Sequence, residues 1–421
     1  MYKILLFIAV YLPFQLALNP TSGVDLASIR ILIPLLLLVW LASGLKNKKL
    51  VIKNNVQTWL VGSFLFLNLF SIIIARNADW SMRKLLFLFS IFPIYFVASQ
   101  TISSIKRMMS ILKVLVFSGT VVAGIGIVQF LAQFVFGLQK VYIFWAKHVI
   151  VPFLGNNFSA AVLKNPSWLV NIAGKTYLRA TSLFPDPHML AFYLGLLIPL
   201  AVGLAINNKK QRVLWLISFI ILLTADLLTF SRGGYLGLFA GIVFVGIFFW
   251  QKINYKYKIS TAIFLLAAVI AMFVPSPVSQ RFLSSFDLKE GSNHGRLAMW
   301  SKAIDVSREH PLIGVGIGNY PLEVLPTATY RDPIYAHNTY LDIAAETGIA
   351  NSLIWMALLL VIFWSFWKKT KENNLYFFLA ISIIIFGAHS LVETAIYSPV
   401  VLTLFLIIIS LNQNFKYEET D

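Results

Sequence analysis

Residues 310–320 read HPLIGVGIGNY and residues 337–342 read HNTYLD, and both lie in the longest interruption of an otherwise almost continuously apolar chain. This interruption runs from about residue 275 to residue 348 and also contains Asn293-His294-Gly295-Arg296. Long apolar runs precede and follow it. The pattern predicts a membrane scaffold with one large polar loop, and we expect the chemistry to lie in that loop and at nearby membrane edges.

Composition indicates a membrane protein. Of the 421 residues, 58% are hydrophobic and only 12% are charged, whereas a soluble domain carries about 25% charged residues. Repeated apolar runs of about 17–25 residues are typical of membrane-spanning helices rather than of a β-barrel. We therefore predict an all-α integral membrane protein in which residues 1–421 form a single polytopic membrane domain.

The apolar segments predict about twelve transmembrane helices, with the large loop between the ninth and the tenth. Residues 1–18 also resemble a signal peptide, but they lack a clear small-x-small cleavage site, so we interpret them as the first span. The predicted spans are residues 2–18, 28–45, 56–75, 84–99, 110–136, 188–206, 213–230, 234–250, 259–274, 349–367, 374–392 and 397–412.

The positive charge predicts the orientation of these spans. The formal net charge is +17, and its lysines and arginines concentrate in alternate short loops, such as residues 46–53, 209–212 and 368–371. Short loops rich in these residues face the cytoplasm. We therefore expect both termini in the cytoplasm, a lipid bilayer rather than nucleic acid as the partner, and the long loops 137–187 and 275–348 outside.

The first long loop, residues 137–187, is rich in aromatic residues. It contains Trp145, Phe153, Phe158 and Trp168, and such residues favour the membrane interface over water. The loop ends in RATSLFPDPH, residues 179–188, whose two prolines break any helix before the next span.

Arg232 lies in Ser231-Arg232-Gly233-Gly234-Tyr235, between two apolar runs that almost touch. An arginine at span depth costs about 2.5–3.5 kcal/mol on insertion scales. The glycines allow the backbone to bend and a ligand to approach. One interpretation is an interfacial arginine that snorkels beside a tight turn. The other is a binding residue, which an outer-face arginine favours because it runs against the charge bias.

Residues 294–309 predict an amphipathic helix within the main loop, with Asn293 as its N-cap. Leu297, Trp300 and Ile304 recur on one face. If Leu297 and Trp300 dock on the membrane bundle, Arg296 in the first turn is directed inward. The alternative is a solvated Arg296 on an interfacial helix.

His337 is a lone histidine at the predicted outer membrane edge, just before a short helix that carries Asp342 and Glu346. Such a histidine is often structural. Its near-neutral titration nevertheless makes it the best local candidate for a proton acceptor. The glycines at 314, 316 and 318 before it predict a flexible or tightly turned connector, since no strand–helix unit surrounds them as a nucleotide site would need.

His389 and Glu393 lie one helical turn apart near the end of the predicted eleventh span. The pair could bind a metal ion or a proton, but two ligands do not make a metal site, and a hydrogen-bonded structural pair is the simpler interpretation. Cysteine is absent, which excludes disulfides and thiolate sites. We predict no metal site and no cofactor.

Together these residues resemble the O-antigen ligase and polysaccharide polymerase family of bacterial membranes. The matching pieces are SRGGYLG at 231–237, Gly295-Arg296 with Trp300, HPLIGVG at 310–316, and HNTYL at 337–341 running to ETG at 346–348. The resemblance is specific over about residues 230–350 and weaker over residues 179–187.

The resemblance implies a fold similar to the C class of membrane glycosyltransferases (GT-C) and a metal-independent, inverting glycosyl transfer on the outer face of the cytoplasmic membrane. The donor that the resemblance implies is a glycan on undecaprenyl diphosphate. The implied acceptor is lipid A–core sugar in a ligase, or another lipid-linked glycan in a polymerase. The histidine and arginine pattern serves both, and we lean slightly to the ligase.

By this resemblance, Arg232 and Arg296 match the family's phosphate-binding arginines, and His337 matches the histidine that deprotonates the acceptor hydroxyl. Arginine's fork of donors suits phosphate oxygens at any working pH. We also predict Arg179, Asn338, Tyr340 and Glu393 to contact substrate.

A transporter or flippase of the same lipid-linked glycan is the main alternative, because twelve spans with both termini inside is a common transporter topology. Many such transporters consist of two similar halves, and no such repeat is evident here. The chain also lacks an Asp-x-Asp element, which agrees with arginines rather than a metal ion binding the diphosphate.

Overall fold

The chain is largely helical in a computed structural model that describes residues 1–412 except 22–23, 49, 51, 165–166, 173, 253–276, 285–290, 331 and 333. In this described part, seven helices are long and apolar enough to cross a membrane, and four shorter apolar helices accompany them. The chain is therefore a multi-pass membrane protein, as its composition predicts.

The helices are named in chain order. Their bounds are α1 Tyr2–Tyr11, α2 Ile29–Lys46, α3 Val56–Phe70, α4 Ala78–Ile91, α5 Pro93–Thr101, α6 Ile105–Phe136, α7 Leu138–Phe144, α8 Val151–Leu154, α9 Asn156–Lys164, α10 Pro187–Asn207, α11 Arg212–Leu228, α12 Arg232–Lys252, α13 Pro277–Leu283, α14 Gly291–Glu309, α15 Tyr320–Val324, α16 Thr339–Thr347, α17 Ile349–Lys369, α18 Leu375–His389 and α19 Pro399–Ser410. Short 3-10 turns cover Leu12–Phe14, Ser71–Ile74 and Lys209–Gln211, and a π-helical turn covers Trp145–Val149.

Two short antiparallel hairpins make the prediction of an all-α protein incomplete. Strand β1, Ala17–Thr21, pairs with β2, Val24–Ala27. Strand β3, Leu169–Ile172, pairs with β4, Lys175–Leu178. Strands of four or five residues are too short for their alternation to stand out from apolar flanks.

The described helices depart from the predicted spans most clearly in two places. The first span was expected to reach residue 18, but its α-helix ends at Tyr11, because the residue before Pro13 disfavours helical backbone, and β1 follows the short 3-10 turn. The span predicted at 84–99 begins earlier, at Ala78, and is divided at Pro93. The predicted ninth span, 259–274, lies outside the described residues.

The first long loop folds as a packed unit, here called the first-loop unit (residues 138–178). Its separate core consists of Val141, Tyr142, Trp145, Ala146, Ile150, Val162, Trp168 and Leu178. Asp25 of β2 fixes its position, because the carboxylate accepts hydrogen bonds from Phe158 N (3.0 Å) and Asn157 Nδ2 (2.9 Å) at the start of α9.

Helix α10 is the central helix of the bundle. It is apolar on all sides and buried along nearly its whole length, as expected of a helix surrounded by others. Beside it, α12 and α18 approach closely along Gly233, Gly237 and Gly241. A Cβ atom at Gly237 would lie 2.8 Å from the Ile385 carbonyl oxygen, so small residues permit this contact.

The two ends of the bundle differ in composition. One end carries the basic short loops, and hydrogen bonds join its helices there: Tyr2 to Arg107 (3.1 Å), Gln57 to Ile409 (2.9 Å) and Lys369 to Asn412 (3.1 Å). The opposite end holds the starts of α10 and α12, the ends of α11 and α18, and the described parts of the main loop. The predicted site residues lie at this second end.

Candidate active site

Arg232 begins α12 directly after a tight turn. Phe230 in that turn has φ of +50°, a left-handed conformation that non-glycine residues adopt at a cost. Ser231 Oγ accepts a hydrogen bond from Gly234 N (3.2 Å) and so caps the helix. The turn places the Arg232 side chain at the end of the bundle, where the residue is only 5% exposed.

Arg179 stabilises this turn through backbone carbonyls. Its Nε donates to the Thr229 carbonyl (2.7 Å) and its Nη2 to the Phe230 carbonyl (3.3 Å). Burial, together with the nearby charge of Arg281, lowers the pKa of Arg179 to about 9. The guanidinium therefore remains charged at neutral pH while it bonds to the strained segment.

Arg232 joins α12 to the main loop. Its Nη1 donates to Asn293 Oδ1 and its Nη2 to Ser284 Oγ, each at 2.7 Å. Asn293 Nδ2 in turn donates to the Ser284 carbonyl (3.0 Å). The expectation that Asn293 caps the amphipathic helix is wrong, because α14 already begins at Gly291 and Asn293 lies inside it.

The packing face of α14 also differs from the predicted one. Leu297 and Ile304 are 42% and 37% exposed, whereas Ala303 and Val306 are fully buried. The reason is that α14 packs against the short helix α16 through its smaller residues. Large apolar side chains need not turn inward at a membrane edge, so their spacing did not identify the contact face.

Arg296 nevertheless points inward. Its Nη2 lies 3.1 Å from Glu393 Oε2, and its side chain is 15% exposed. Helix α14 therefore connects the two arginines: Arg232 bonds to its residue Asn293, and Arg296 lies three residues further along the same helix.

His337 faces the same carboxylate. Its Nδ1 lies 2.7 Å from Glu393 Oε1, and 36% of its side chain is exposed. His337 has φ of +51°, so its backbone also lies in the left-handed region. Burial alone would lower the pKa of His337, but the charge and hydrogen bond of Glu393 outweigh burial and raise it.

The residues around His337 fix its backbone. Asn338 caps α16, with its side chain accepting from Tyr340 N (3.0 Å) and Leu341 N (3.1 Å). Asp342 accepts from Ala336 N (2.7 Å) and from the Thr394 hydroxyl. Tyr340 Oη donates to the Gly387 carbonyl of α18 (2.9 Å). These bonds stabilise the left-handed residue between them.

Glu393 is the centre of the cluster. It is 5% exposed, and besides His337 and Arg296 it has His188 nearby, whose Nδ1 lies 3.7 Å from Oε2. Burial would raise the pKa of Glu393, but His188, His337 and Arg296 together lower it well below its usual range. We call Glu393, His337, Arg296 and His188 the Glu393 cluster.

The expected hydrogen-bonded pair of His389 and Glu393 does not form. His389 stacks on Phe192 with ring centroids 3.5 Å apart, and within the described part of the chain neither of its ring nitrogens has a hydrogen-bond partner. The i,i+4 spacing misled because α18 ends at His389, so Glu393 is not on the same helix.

The glycine run is a tightly turned connector. Gly314, Gly316 and Gly318 all have positive φ, at +72°, +92° and +83°. A Cβ atom on Gly316 would lie 2.6 Å from Ala75 Cβ. The side chain of Asn319 accepts from Asn77 N (2.7 Å), so the connector is packed against the start of α4.

A second buried ion pair lies nearby. Lys84 Nζ of α4 is 2.7 Å from both carboxylate oxygens of Glu346 in α16. Tyr397 Oη donates to Glu346 Oε2 (3.1 Å). This pair explains why Lys84 occurs in a region that the charge bias predicts to be poor in lysine.

Sequence reasoning missed three participants. His188 was noted only as the start of a span, although an ionisable residue at a span edge is itself a signal. Arg281 lies with its Nε 3.5 Å from the Phe230 carbonyl. Asn293 was assigned to the wrong contact. The charges of Arg179, Arg281 and Arg296 act on one another, so this end of the bundle is rich in positive charge.

Residues 217–356 match the family model described as O-antigen ligase. The matched segment contains Arg232, Arg296 and His337, and it ends before Glu393. No curated protein matches the chain.

Proposed function

We propose that this chain, whose residues 217–356 match the O-antigen ligase family model, transfers a lipid-linked glycan to an acceptor sugar. The donor is a glycan on undecaprenyl diphosphate, and the acceptor is lipid A–core sugar or, in a polymerase, another lipid-linked glycan. The observation that carries this proposal is a partly exposed histidine, paired with a buried glutamate, beside two inward-facing arginines.

The reaction takes place on the outer face of the cytoplasmic membrane. The site lies at the bundle end opposite the basic short loops, and such loops face the cytoplasm. Both termini are then cytoplasmic. The lipid tail of the donor stays in the bilayer while its diphosphate reaches the arginines.

His337 is the general base. Glu393 accepts the Nδ1 proton of the imidazole, which leaves Nε2 to take the proton of the acceptor hydroxyl. The hydroxyl oxygen forms the new bond to the anomeric carbon of the donor, the bond from that carbon to the diphosphate oxygen breaks, and the configuration inverts. A well-placed base contributes about 10²–10⁴-fold.

Arg232 and Arg296 stabilise the leaving diphosphate, which carries away the electron pair. Two acceptors of Arg232, Asn293 Oδ1 and Ser284 Oγ, are neutral, and phosphate oxygens are stronger acceptors for the same fork. Donors aimed at developing charge are worth about 10²–10³-fold each. The transfer needs no metal ion in this scheme.

Arg179, Asn338 and Tyr340 act through position rather than by direct contact in this proposal. Arg179 supports the turn that carries Arg232, and Asn338 and Tyr340 hold the segment that carries His337. Glu393 likewise orients His337. The family match does not favour a transporter, and a transporter would not need a histidine base opposite phosphate-binding arginines.

The test is transfer by the purified protein in detergent, given an undecaprenyl-diphosphate oligosaccharide with or without lipid A–core, in the presence of EDTA. A ladder from the donor alone identifies a polymerase, and one glycan moved to lipid A–core identifies a ligase. No transfer from any of several donors, with lipid movement in vesicles instead, overturns the proposal. Activity that EDTA abolishes and divalent metal restores overturns the metal-free mechanism.

A further inference from the structure

His188 occupies a position between the base and the arginine-bearing turn. It lies in the first turn of α10, where Asp186 Oδ1 accepts from its backbone N (2.7 Å) and caps the helix. Its Nδ1 is 2.9 Å from Ser231 Oγ and 3.7 Å from Glu393 Oε2. A single ring nitrogen thus faces both the Glu393 carboxylate and the residue that precedes Arg232.

We propose that His188 is a positioning residue. It keeps the Glu393 carboxylate in place beside His337, and it connects that pair to the Arg232 turn through Ser231. The contribution of His188 to catalysis rests on the proposed function, whereas its contact with Glu393 is independent of that function.

The two oxygens of Glu393 have separate partners. Oε1 accepts from His337 Nδ1 (2.7 Å), whereas Oε2 faces Arg296 Nη2 (3.1 Å) and His188 Nδ1 (3.7 Å). A carboxylate held on one side only can rotate away from its histidine. Because Arg296 is assigned to the diphosphate, it is drawn toward substrate during the reaction, and His188 then keeps Oε2 in place.

Ser231 gives His188 its second contact. Its Oγ accepts from Gly234 N (3.2 Å) and also meets His188 Nδ1. A Cβ atom on Gly233 would lie 2.4 Å from His389 Cδ2, so the turn cannot move far toward α18. Movement of His188 would therefore be transmitted to both the base and the arginine.

The charged surroundings define what a pH measurement reports. The groups that face His188 are Glu393, Arg179, Arg296 and His389, together with Asp186, which accepts from its backbone N. The groups that face His337 are Glu393, Arg296 and Asp342. Glu393 and Arg296 are common to both lists, so a change at His188 reaches His337 chiefly through Glu393.

The experiment compares His188→Ala with His188→Asn, whose side-chain Nδ2 can replace the donor at Nδ1, and with the exposed control His310→Ala. The titration of His337 is followed by the NMR shift of its ¹³Cε1 in detergent micelles and is assigned by its absence in His337→Ala. The pH dependence of kcat is measured on the same samples.

In His188→Ala we expect the His337 titration to move to lower pH, and with it the acid limb of the kcat profile, where activity rises as the base loses its proton. We expect kcat to fall by up to about 100-fold, as for a misplaced catalytic group, and KM for the donor to change less. We expect His188→Asn to restore both. Identical His337 titrations in wild type and His188→Ala overturn the proposal. A smaller folded fraction of His188→Ala, whose folded molecules keep the wild-type pH dependence of kcat, also overturns it.

The NMR titration separates this proposal from the function on which it rests. If wild type transfers no glycan but His188→Ala still shifts the His337 titration, the positioning contact stands and the proposed function fails. If wild type transfers glycan and the titration does not shift, the reverse holds.

Discussion

Two buried glutamates lie at the same end of the bundle, and their surroundings differ. Glu346 is matched by one lysine, whose ammonium bonds both carboxylate oxygens at 2.7 Å and lies 3.6 Å from the centre of the Tyr397 ring. Glu393 faces Arg296, His337 and His188. Both are nearly inaccessible, at 2% and 5% exposure.

The difference lies in charge balance and access. The Lys84–Glu346 pair is neutral as a whole and closed to solvent, with side chains 12% and 3% exposed. The Glu393 cluster instead sets Arg296 and two histidines around one carboxylate, and the His337 ring is open to an incoming molecule. The Lys84–Glu346 pair satisfies its charges internally, whereas the charges of Arg179, Arg281 and Arg296 act on one another around the Glu393 cluster.

Removing the exposed imidazole of His337 should have the largest effect on activity. In the proposed mechanism the acceptor hydroxyl then loses its base, so His337→Ala is expected to lower kcat by about 10²–10⁴-fold. Glycan transfer is measured alongside thermal unfolding in detergent, which should change little. His310→Ala, an exposed histidine on the same loop, is the matched control, and wild-type turnover by His337→Ala would contradict the assignment.

Breaking the closed pair should affect stability instead. Lys84→Met leaves Glu346 buried and uncompensated, which costs about 3–5 kcal/mol in the free energy of unfolding. Turnover per folded molecule should stay close to wild type. The control is Lys210→Met at the basic end, where the side chain is exposed; equal stability losses in the two variants would show that the pair contributes little.

Arg232→Ala should reduce kcat/KM by about 10²-fold, because the proposed mechanism loses one donor to the leaving group. Arg232→Lys should recover only part of this, since lysine keeps the charge but not the fork. Arg212→Ala at the opposite end serves as the control. Equal losses from Arg212→Ala and Arg232→Ala would argue against a phosphate contact.

The smallest expected effect is a shift in pH dependence. Glu393 raises the pKa of His337, so wild-type activity should rise with pH only as the imidazole loses its proton above the ordinary histidine range. Glu393→Gln should move this acid limb to lower pH. The stability that His337 gains from Glu393 is present below its unfolded pKa and is lost as pH rises through the raised folded pKa.

Urea titrations across that interval measure this last effect on stability. Wild type should lose unfolding free energy as pH rises through the interval, and Glu393→Gln should show a flatter dependence. A wild-type profile that is equally flat would mean that the two side chains do not interact in the folded state.

The sequence indicated three residues that the structure brings to one end of the bundle, but not how they are joined. Arg232, Arg296 and His337 each stand in a recognisable local pattern within a polar interruption. Glu393 lies 56 residues from His337, and local spacing paired it with His389 instead. Helix α18 ends at His389 because of the packing around it, and helical spacing in the sequence does not predict such an end.

Spans were easier to predict than their edges. A long apolar run can satisfy its backbone in the bilayer only as a helix, so most predicted spans have a helical counterpart among the described residues. Edges depend on single contacts, as at the β1–β2 hairpin or on the exposed Leu297 and Ile304. The same limit applies to Lys84, whose position is explained only by Glu346 in a distant helix.

The separate core of the first-loop unit bears on how chains of this kind diverge. The unit joins the segment before α10 through a few bonds, among them Trp145 Nε1 to the Ser182 carbonyl (2.8 Å) and Arg179 N to the Trp168 carbonyl (2.9 Å). Ile125 and Ala132 of α6 also pack against this core, and Tyr177 contacts Phe230 in the turn before Arg232, so changes inside the unit must preserve those contacts. Where those contacts are kept, lineages could vary this unit while the end of the bundle that holds the Glu393 cluster is inherited unchanged.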